Sequence, residues 1–434
     1  MILLTNATDL ARTGRLSKMG KSEDLPLKMY TKPLSEEKLI VMKRCIPLVQ
    51  RSNFALFCIS LLCLVACNGP DSKKRANRNS QTDLFPQKVS IDHAIGFDVI
   101  YHNDWKELHL FRHYNDFIDT VKYALLTAGM TVNGFDESHS IQIPVQAFGA
   151  LSTTQLGMFD LLDALNELKA IEVKRYVHNQ EIIDKVEKGD IIELAPAGKL
   201  NLETTIASNI ELLMGVGYPN SQNDDFQTLQ QMGMPVILNA DWQEKTLLGR
   251  AEWMKILAIL TNKEAEVKEV WSKIESDYQA VVDKIQIEIE EGPSTITGLI
   301  SGDSWYVAGG DSFVNNLLKE IKVSYPWSDA NETGSIRLDF ETVYEKGLDA
   351  DYWLAPGSAK TMDDLLQADG RFVDFKSFKE QKVFNIFGRY IPAGGNDYYE
   401  SAIVAPHIVL KDMVKIFYPE LFPDHELVYY NQLQ

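Results

Sequence analysis

Beyond Cys67 the chain has no cysteine. All four, Cys45, Cys58, Cys63 and Cys67, lie within the first 67 of 434 residues. The body that follows therefore holds no disulfide, no thiol nucleophile and no cysteine-ligated metal. Histidine is also scarce, with eight residues scattered along the chain. His109 and His113 are four apart, but their stretch reads as strand, so no metal site is expected there. Catalytic signatures are missing: there is no G-x-S-x-G elbow, no G-x-G-x-x-G and no H-E-x-x-H, and Gly198-Lys199 lacks the upstream glycine of a phosphate-binding loop. No nucleophile–base pair stands out, so an enzyme is not expected. Positive charge is in deficit. With 43 Lys+Arg against 61 Asp+Glu the net charge is −18, which excludes a basic nucleic-acid-binding face.

Long apolar runs are missing too. Residues 54–66 form an apolar stretch of about thirteen residues, too short to span a bilayer comfortably. Met42-Lys43-Arg44 and Arg51 precede it, and Leu64-Val65-Ala66-Cys67 closes it. This resembles a bacterial lipoprotein signal, in which small residues precede a cysteine that is lipidated and becomes the mature N-terminus. The resemblance assigns 42–66 to the signal peptide and Cys67 to lipidation. The alternative is a short anchor that is never cut. Residues 1–41 show no pattern and Met42 is a plausible start, so 1–41 reads as an over-extended N-terminus. Residues 67–87 are polar and read as a flexible tether. The chain after Ala66 holds 33 Lys+Arg and 56 Asp+Glu, which fits a soluble body held near an anionic membrane by lipid rather than pressed onto it. No acidic run follows Cys67, which favours the periplasmic side of the cell envelope.

What is present is a long helix. Between Gly249 and Gly292 there is neither Gly nor Pro. Val267, Trp271, Ile274, Tyr278, Val281, Ile285 and Ile289 recur at steps of three and four, one apolar face of a helix over 263–290. Thr261-Asn262 offers an N-cap, and Gly292-Pro293 a stop. A second helical segment, 247–260, precedes it. On either side short strands alternate with helices. The expected fold is α/β, with two α/β lobes joined by a single long backbone helix: an N-terminal lobe at 88–246, the helical connection at 247–292 and a C-terminal lobe at 293–434. A long surface helix on one α/β domain has the same periodicity.

Along the chain, 91–114 alternates apolar and polar residues as a hairpin or meander does. Residues 141–148 read as the first central strand. Ser152-Thr153-Thr154 then caps a helix over 155–168, which is either plain capping or a small-ligand site. A strand near 171–173, a helix at 182–187, strands at 212–216 and 235–238 and a helix at 226–232 follow. Beyond the connection come strands at 295–300 and 305–308, a helix at 313–319, a strand at 352–354, another at 383–387 and closing helices over 403–417. There is an internal echo: Leu202-Glu203 and Phe340-Glu341 each open a helix about ten residues before a strand, where the helix dipole favours the glutamate.

Several of these stretches together carry a family resemblance. Residues 305–313 (WYVAGGDSF), 249–253 (GRAEW), Asn201-Leu202-Glu203, Asp339-Phe340-Glu341, 396–400 (NDYYE) and 418–423 (YPELFP) resemble, in order and spacing, the substrate-binding proteins of iron–siderophore, haem and cobalamin ABC importers. The similarity covers about residues 141–425. It implies two lobes on one stiff helix, ligand in the cleft, no catalysis, no cofactor, a monomer, and a permease partner in the inner membrane. Glu203 and Glu341 are implied to dock on permease arginines, which makes sense as charge-assisted bonds that fix orientation; a plain helix N-terminal charge is the other reading. Ile210-Glu211 stands where the family usually has Pro-Asp.

Candidate ligand contacts follow from where the loops fall: Ser152, Thr153 and Thr154 after the first strand, Trp242 and Arg250 near the end of the first lobe, and Trp305, Tyr306, Arg389, Tyr398 and Tyr399 in the second. Aromatic faces suit a large, flat-sided, partly apolar ligand and arginine suits its charge. The expectation is a lipid-anchored importer component for an iron–siderophore complex. Cobalamin, then haem, are the alternatives in that class, and a ligand-binding sensor lipoprotein is the alternative outside it.

Overall fold

The computed structural model describes residues 82–113, 118–217 and 224–434. The signal peptide, Cys67 and most of the tether lie outside the described residues.

A meander comes first: β1 (Phe97–Tyr101), β2 (Trp105–His113) and β3 (Ile118–Leu126) pair antiparallel, and β4 (Ser140–Gln142) joins β3 in parallel. Alternation along β2 buries Leu108 and Leu110, as a half-buried strand requires. The expected strand at 141–148 is divided, with β4 at one end, the cis Ile143–Pro144 bond behind it, and a separate central strand beginning at Phe148.

The first lobe is doubly wound. It runs β5 (Phe148–Ala150), α1 (Thr153–Leu161), β6 (Leu168–Ile171), α2 (Gln180–Lys188), β7 (Ile192–Glu193), α3 (Leu202–Ala207), β8 (Leu212–Val216), α4 (Asp224–Gln231) and β9 (Val236–Asn239). The strands are parallel in the order β7-β6-β5-β8-β9. The winding reverses beside β5, and in such sheets the crevice at the carboxyl ends of the strands is where ligands sit. The helix expected over 155–168 is shorter: α1 stops at Leu161, and Leu168 opens β6 as a buried strand residue.

The connection is α5 (Leu247–Glu252), α6 (Met254–Thr261) and α7 (Glu264–Glu288). All residues of α5 and α6 are buried, so these two are core helices, and only α7 is amphipathic. The α7 face is the expected one, with Val267, Trp271, Ile274, Tyr278, Val281 and Ile285 all buried. At about 37 Å it spans a domain. Its start differs from the expected Thr261-Asn262 cap. Asn262 is left-handed (φ 57°) and its side chain accepts a bond from Lys106 at 2.8 Å. Lys106, wholly buried on β2, also bonds the Ile259 carbonyl (2.8 Å) and pairs with Glu264. The meander is thereby fastened to the α6–α7 corner through a buried charge pair that neither partner could leave cheaply.

The second lobe holds β10 (Thr295–Thr297), β11 (Leu299–Ser301), β12 (Ser304–Ala308), α8 (Phe313–Glu320), β13 (Ser335–Leu338), α9 (Phe340–Gly347), β14 (Tyr352–Leu354), α10 (Met362–Ala368), α11 (Lys376–Lys379), β15 (Val383–Asn385), α12 (Pro406–Phe417) and β16 (Asn431–Gln432). Its main sheet runs β10-β14-β15-β16, and β11-β12-β13 form a small antiparallel sheet beside it. The single strand expected at 295–300 breaks at Gly298. There φ is +75°, and a Cβ would lie 1.8 Å from the Tyr306 carbonyl oxygen, so only glycine allows the chain to leave one sheet for the other. One hydrophobic core cluster runs through the connection and both lobes. Among the described residues no helix is long and apolar enough to cross a membrane.

Candidate ligand site between the lobes

The carboxyl end of β5 leads into Ser152, the N-cap of α1. Its hydroxyl accepts from the Thr154 N–H (3.3 Å) and lies 2.9 Å from the Thr154 hydroxyl. Two of the three expected hydroxyl contacts thus already face each other as a cap. Gln155, fully buried, donates to the Gly215 carbonyl (3.0 Å) and ties α1 to β8. After β9, Trp242 is half-buried and donates its indole N–H to the Gly217 carbonyl at 2.8 Å. Three buried polar atoms at this end of the lobe have no hydrogen-bond partner in the protein: Gln155 Oε1, Asn239 Nδ2 and Arg250 Nε. Such atoms are few in folded proteins and call for an explanation.

Arg250 links the lobes. Its Nη2 donates to Asp241 at 3.0 Å, and its guanidinium lies 4.2 Å from the ring centre of Phe313, the first residue of α8. Lys245 reinforces this edge, with an ion pair to Asp311 (3.3 Å) and its carbonyl accepting from Asn316 (2.8 Å).

The other edge is built by residues 386–405, which leave the carboxyl end of β15. Glu400 is nearly fully buried, and its carboxylate accepts the N–H groups of His178 and, at 3.0 Å, Asn179, both in the first lobe. Burial pushes the Glu400 carboxyl up to about 7 against those two bonds, with Asp397 and Asp160 adding to the rise. Asp397 is held by half-exposed Arg389 (3.1 Å) and lies 3.7 Å from His178 Nδ1. The backbone approach is close: a Cβ on Gly157 of α1 would meet the Glu400 carbonyl oxygen at 2.4 Å. Tyr398 is buried among Tyr399, Tyr429 and Tyr430, with its hydroxyl 3.4 Å from that of Tyr430. Burial raises the Tyr399 phenol, and nearby Arg250 opposes the rise.

The fold therefore sets Arg389, Tyr398 and Tyr399 on one segment, with Arg250 of α5 beside it and Ser152–Thr154 at the head of the helix that packs on it. Trp305 is not among them. It is wholly buried, its N–H donates to the Thr297 carbonyl (3.0 Å), and it packs against Phe340, Trp353, Phe372 and Phe375. Strand alternation turns its neighbour Tyr306 the other way, half-buried. Sequence reasoning missed His178, Asp397 and Glu400. Asp397 and Glu400 lie in the 396–400 stretch, but His178 is more than 200 positions from both, and no local pattern joins it to them.

The cavity enclosed by Arg250, Tyr398, Ile403 and Val409 with their neighbours is ≈ 10 Å³, about enough for one water. A larger hollow, ≈ 550 Å³, is an open groove elsewhere, between α7 and the C-terminal tail, where Lys284 lies over the Phe422 ring. Glu203 and Glu341 are both exposed. Each is the second residue of its helix, after an apolar residue and an Asn201 or Asp339 N-cap whose side chain accepts a backbone N–H. Arg371 lies 3.8 Å from Glu341.

The remaining part of the 249–253 motif is structural. Glu252, fully buried, accepts the N–H groups of Asp92, His93 and Ala94 and pairs with Lys255 at 2.6 Å. Glu244 does the same for Ile95 and Gly96 while accepting from the Trp253 indole. Two buried carboxylates thus strap residues 92–96 to the connection.

Comparison with known proteins agrees with this architecture. A family model described as "Periplasmic binding protein" matches residues 150–390. An uncharacterized lipoprotein of Methanocaldococcus jannaschii is 24% identical over 299 residues, 66% of this chain and 68% of that one. A second uncharacterized lipoprotein of the same organism is 24% identical over 407 residues, 88% of this chain and 100% of the other. Among solved structures, a periplasmic binding protein from Veillonella parvula superposes with a TM-score of 0.51 at 12% identity, over 71% of this chain and 97% of its own. With the family model matching more than half of its length, the two-lobed chain belongs to the periplasmic binding protein family.

Proposed function

We propose that the chain is the substrate-binding component of an ABC importer, lipid-anchored through Cys67 on the periplasmic side, and that its cargo is an iron–siderophore complex. The observation that carries the importer reading is the matched placement of Glu203 and Glu341. One exposed carboxylate stands on each lobe, at the same position of a capped helix, where each could meet an arginine of a two-fold permease, Glu341 in exchange for its exposed Arg371 neighbour. The relatives named as lipoproteins support the anchor.

The cargo reading rests on the cleft. Arg250 and Arg389 supply cationic edges, Tyr306, Tyr398, Tyr399 and Trp242 supply aromatic faces, and Ser152, Thr153 and Thr154 supply hydroxyls. The unpaired atoms of Gln155, Asn239 and Arg250 offer both a buried acceptor and buried donors. That mixture suits an anionic chelate with apolar ligand arms.

Replacing both glutamates, Glu203→Ala with Glu341→Ala, is expected to leave ferric-siderophore affinity within about twofold and to abolish uptake in cells. Collapse of affinity would place the glutamates in the cleft and end the docking assignment. Uptake at the native rate would point to a sensor instead.

A further inference from the structure

We propose that His178, Asp397 and Glu400 form a divalent transition-metal site that joins the two lobes. One ring nitrogen and one oxygen from each carboxylate all lie within 4.8 Å of one another, and His178 Nδ1 is 3.7 Å from Asp397 Oδ1. Bonds of about 2.0–2.2 Å in a tetrahedral site put ligand atoms roughly 3.3–3.6 Å apart. Binding an ion therefore needs the widest separation to shrink by up to about 1.2–1.5 Å, within side-chain reach.

The charge balance favours a cation. Asp397 and Glu400 are both nearly fully buried. Arg389 is bonded to Asp397, whereas Glu400 is held by two backbone N–H groups and has Asp160 as a further acidic neighbour. Ionising both buried carboxylates beside one half-exposed guanidinium leaves excess negative charge, which a bound ion offsets. The N–H bonds from His178 and Asn179 fix the Glu400 carboxylate, as outer hydrogen bonds do for metal-ligating carboxylates. The His178 ring keeps about a quarter of its surface in solvent, which gives an ion a path in and leaves room for a water ligand. One imidazole with two carboxylates suits Zn²⁺, Co²⁺, Mn²⁺ or Fe²⁺ better than Ca²⁺ or Mg²⁺, which take oxygen ligands.

Because His178 belongs to the first lobe and the two carboxylates to the second, a bound ion ties the 174–179 loop to residues 386–405. Metal occupancy and opening of the cleft are then linked. The proposal does not depend on the identity of the cargo.

The test is equilibrium dialysis of the metal-stripped full chain against Co²⁺, with X-ray absorption of the loaded protein. One equivalent is expected, with nitrogen and oxygen neighbours including a single imidazole. His178→Ala, and Asp397→Asn with Glu400→Gln, are expected to weaken it at least tenfold, while His109→Ala on β2 leaves it unchanged. Absence of a stoichiometric ion, equal affinity in His178→Ala, or sulfur neighbours from the N-terminal cysteines would each overturn the site. The absorption spectrum of the unaltered chain decides the matter should a variant fail to fold.

Discussion

The indole of Trp305 is the centre of the aromatic core of the second lobe, with its ring centre 5.4–6.0 Å from those of Trp353, Phe340, Phe372 and Phe375. Trp305→Ala removes a buried indole and leaves a cavity, a loss of about 3–5 kcal/mol. Denaturant titration checks this, and the cargo affinity of the folded fraction should not change. Arg389→Ala is a different case. Its guanidinium is half-exposed, lies 5.8 Å from the Tyr429 ring centre and pairs with the buried Asp397 carboxylate, so its loss costs about 1–3 kcal/mol of stability, and cargo affinity falls about tenfold. Equal effects from both substitutions would contradict these two placements. At this scale the sequence was least informative. Trp305 and Tyr306 are adjacent on a strand, so one must face inward, and neither residue's chemistry decides which. Arg250 was named from its place near the end of the first lobe, but its stacking on Phe313 joins residues 63 positions apart and has no local trace.

The long helix α7 was the most legible element, because steps of three and four over 25 residues have no other periodic explanation. Its start was not, since Asn262 takes a left-handed conformation to receive Lys106 from a distant strand. Helix α1 was legible at its cap and misread at its end, where Leu168 passes to the neighbouring strand. Its importance lies at Gly157, whose missing side chain lets the backbone of residue 400 approach. Gly157→Ala places a methyl 2.4 Å from the Glu400 carbonyl oxygen and must push residues 386–405 away from the first lobe. The expected loss is about 1–3 kcal/mol. Faster hydrogen exchange is also expected at the His178 and Asn179 amides, which donate to Glu400. Unchanged exchange at those two amides would mean that the contact does not hold the segment.

At the scale of the molecule, two α/β lobes hang on one strut and share one hydrophobic core. The strut and the alternation of strands and helices on either side were legible, and so was the repeated Asn/Asp–apolar–Glu opening of α3 and α9 that presents Glu203 and Glu341. The contact between the lobes at Glu400 was not legible, because its bonds join the 174–179 loop to residues 386–405, and long-range pairing leaves no periodic mark. A binding protein of this design should take up one ligand per chain and return it unaltered. All seven tryptophans follow Cys67, and Trp242 is one of the proposed cleft residues, so binding there should quench fluorescence. The most direct measurement is a fluorescence titration of the full chain against ferric hydroxamate, ferric catecholate, cobalamin and haem, with free-chromophore controls for inner-filter loss. Saturable one-to-one quenching by a ferric siderophore, with the chelate recovered intact, is the expected result. Saturation by cobalamin or haem alone, or no response to any of the four, would contradict the cargo assignment.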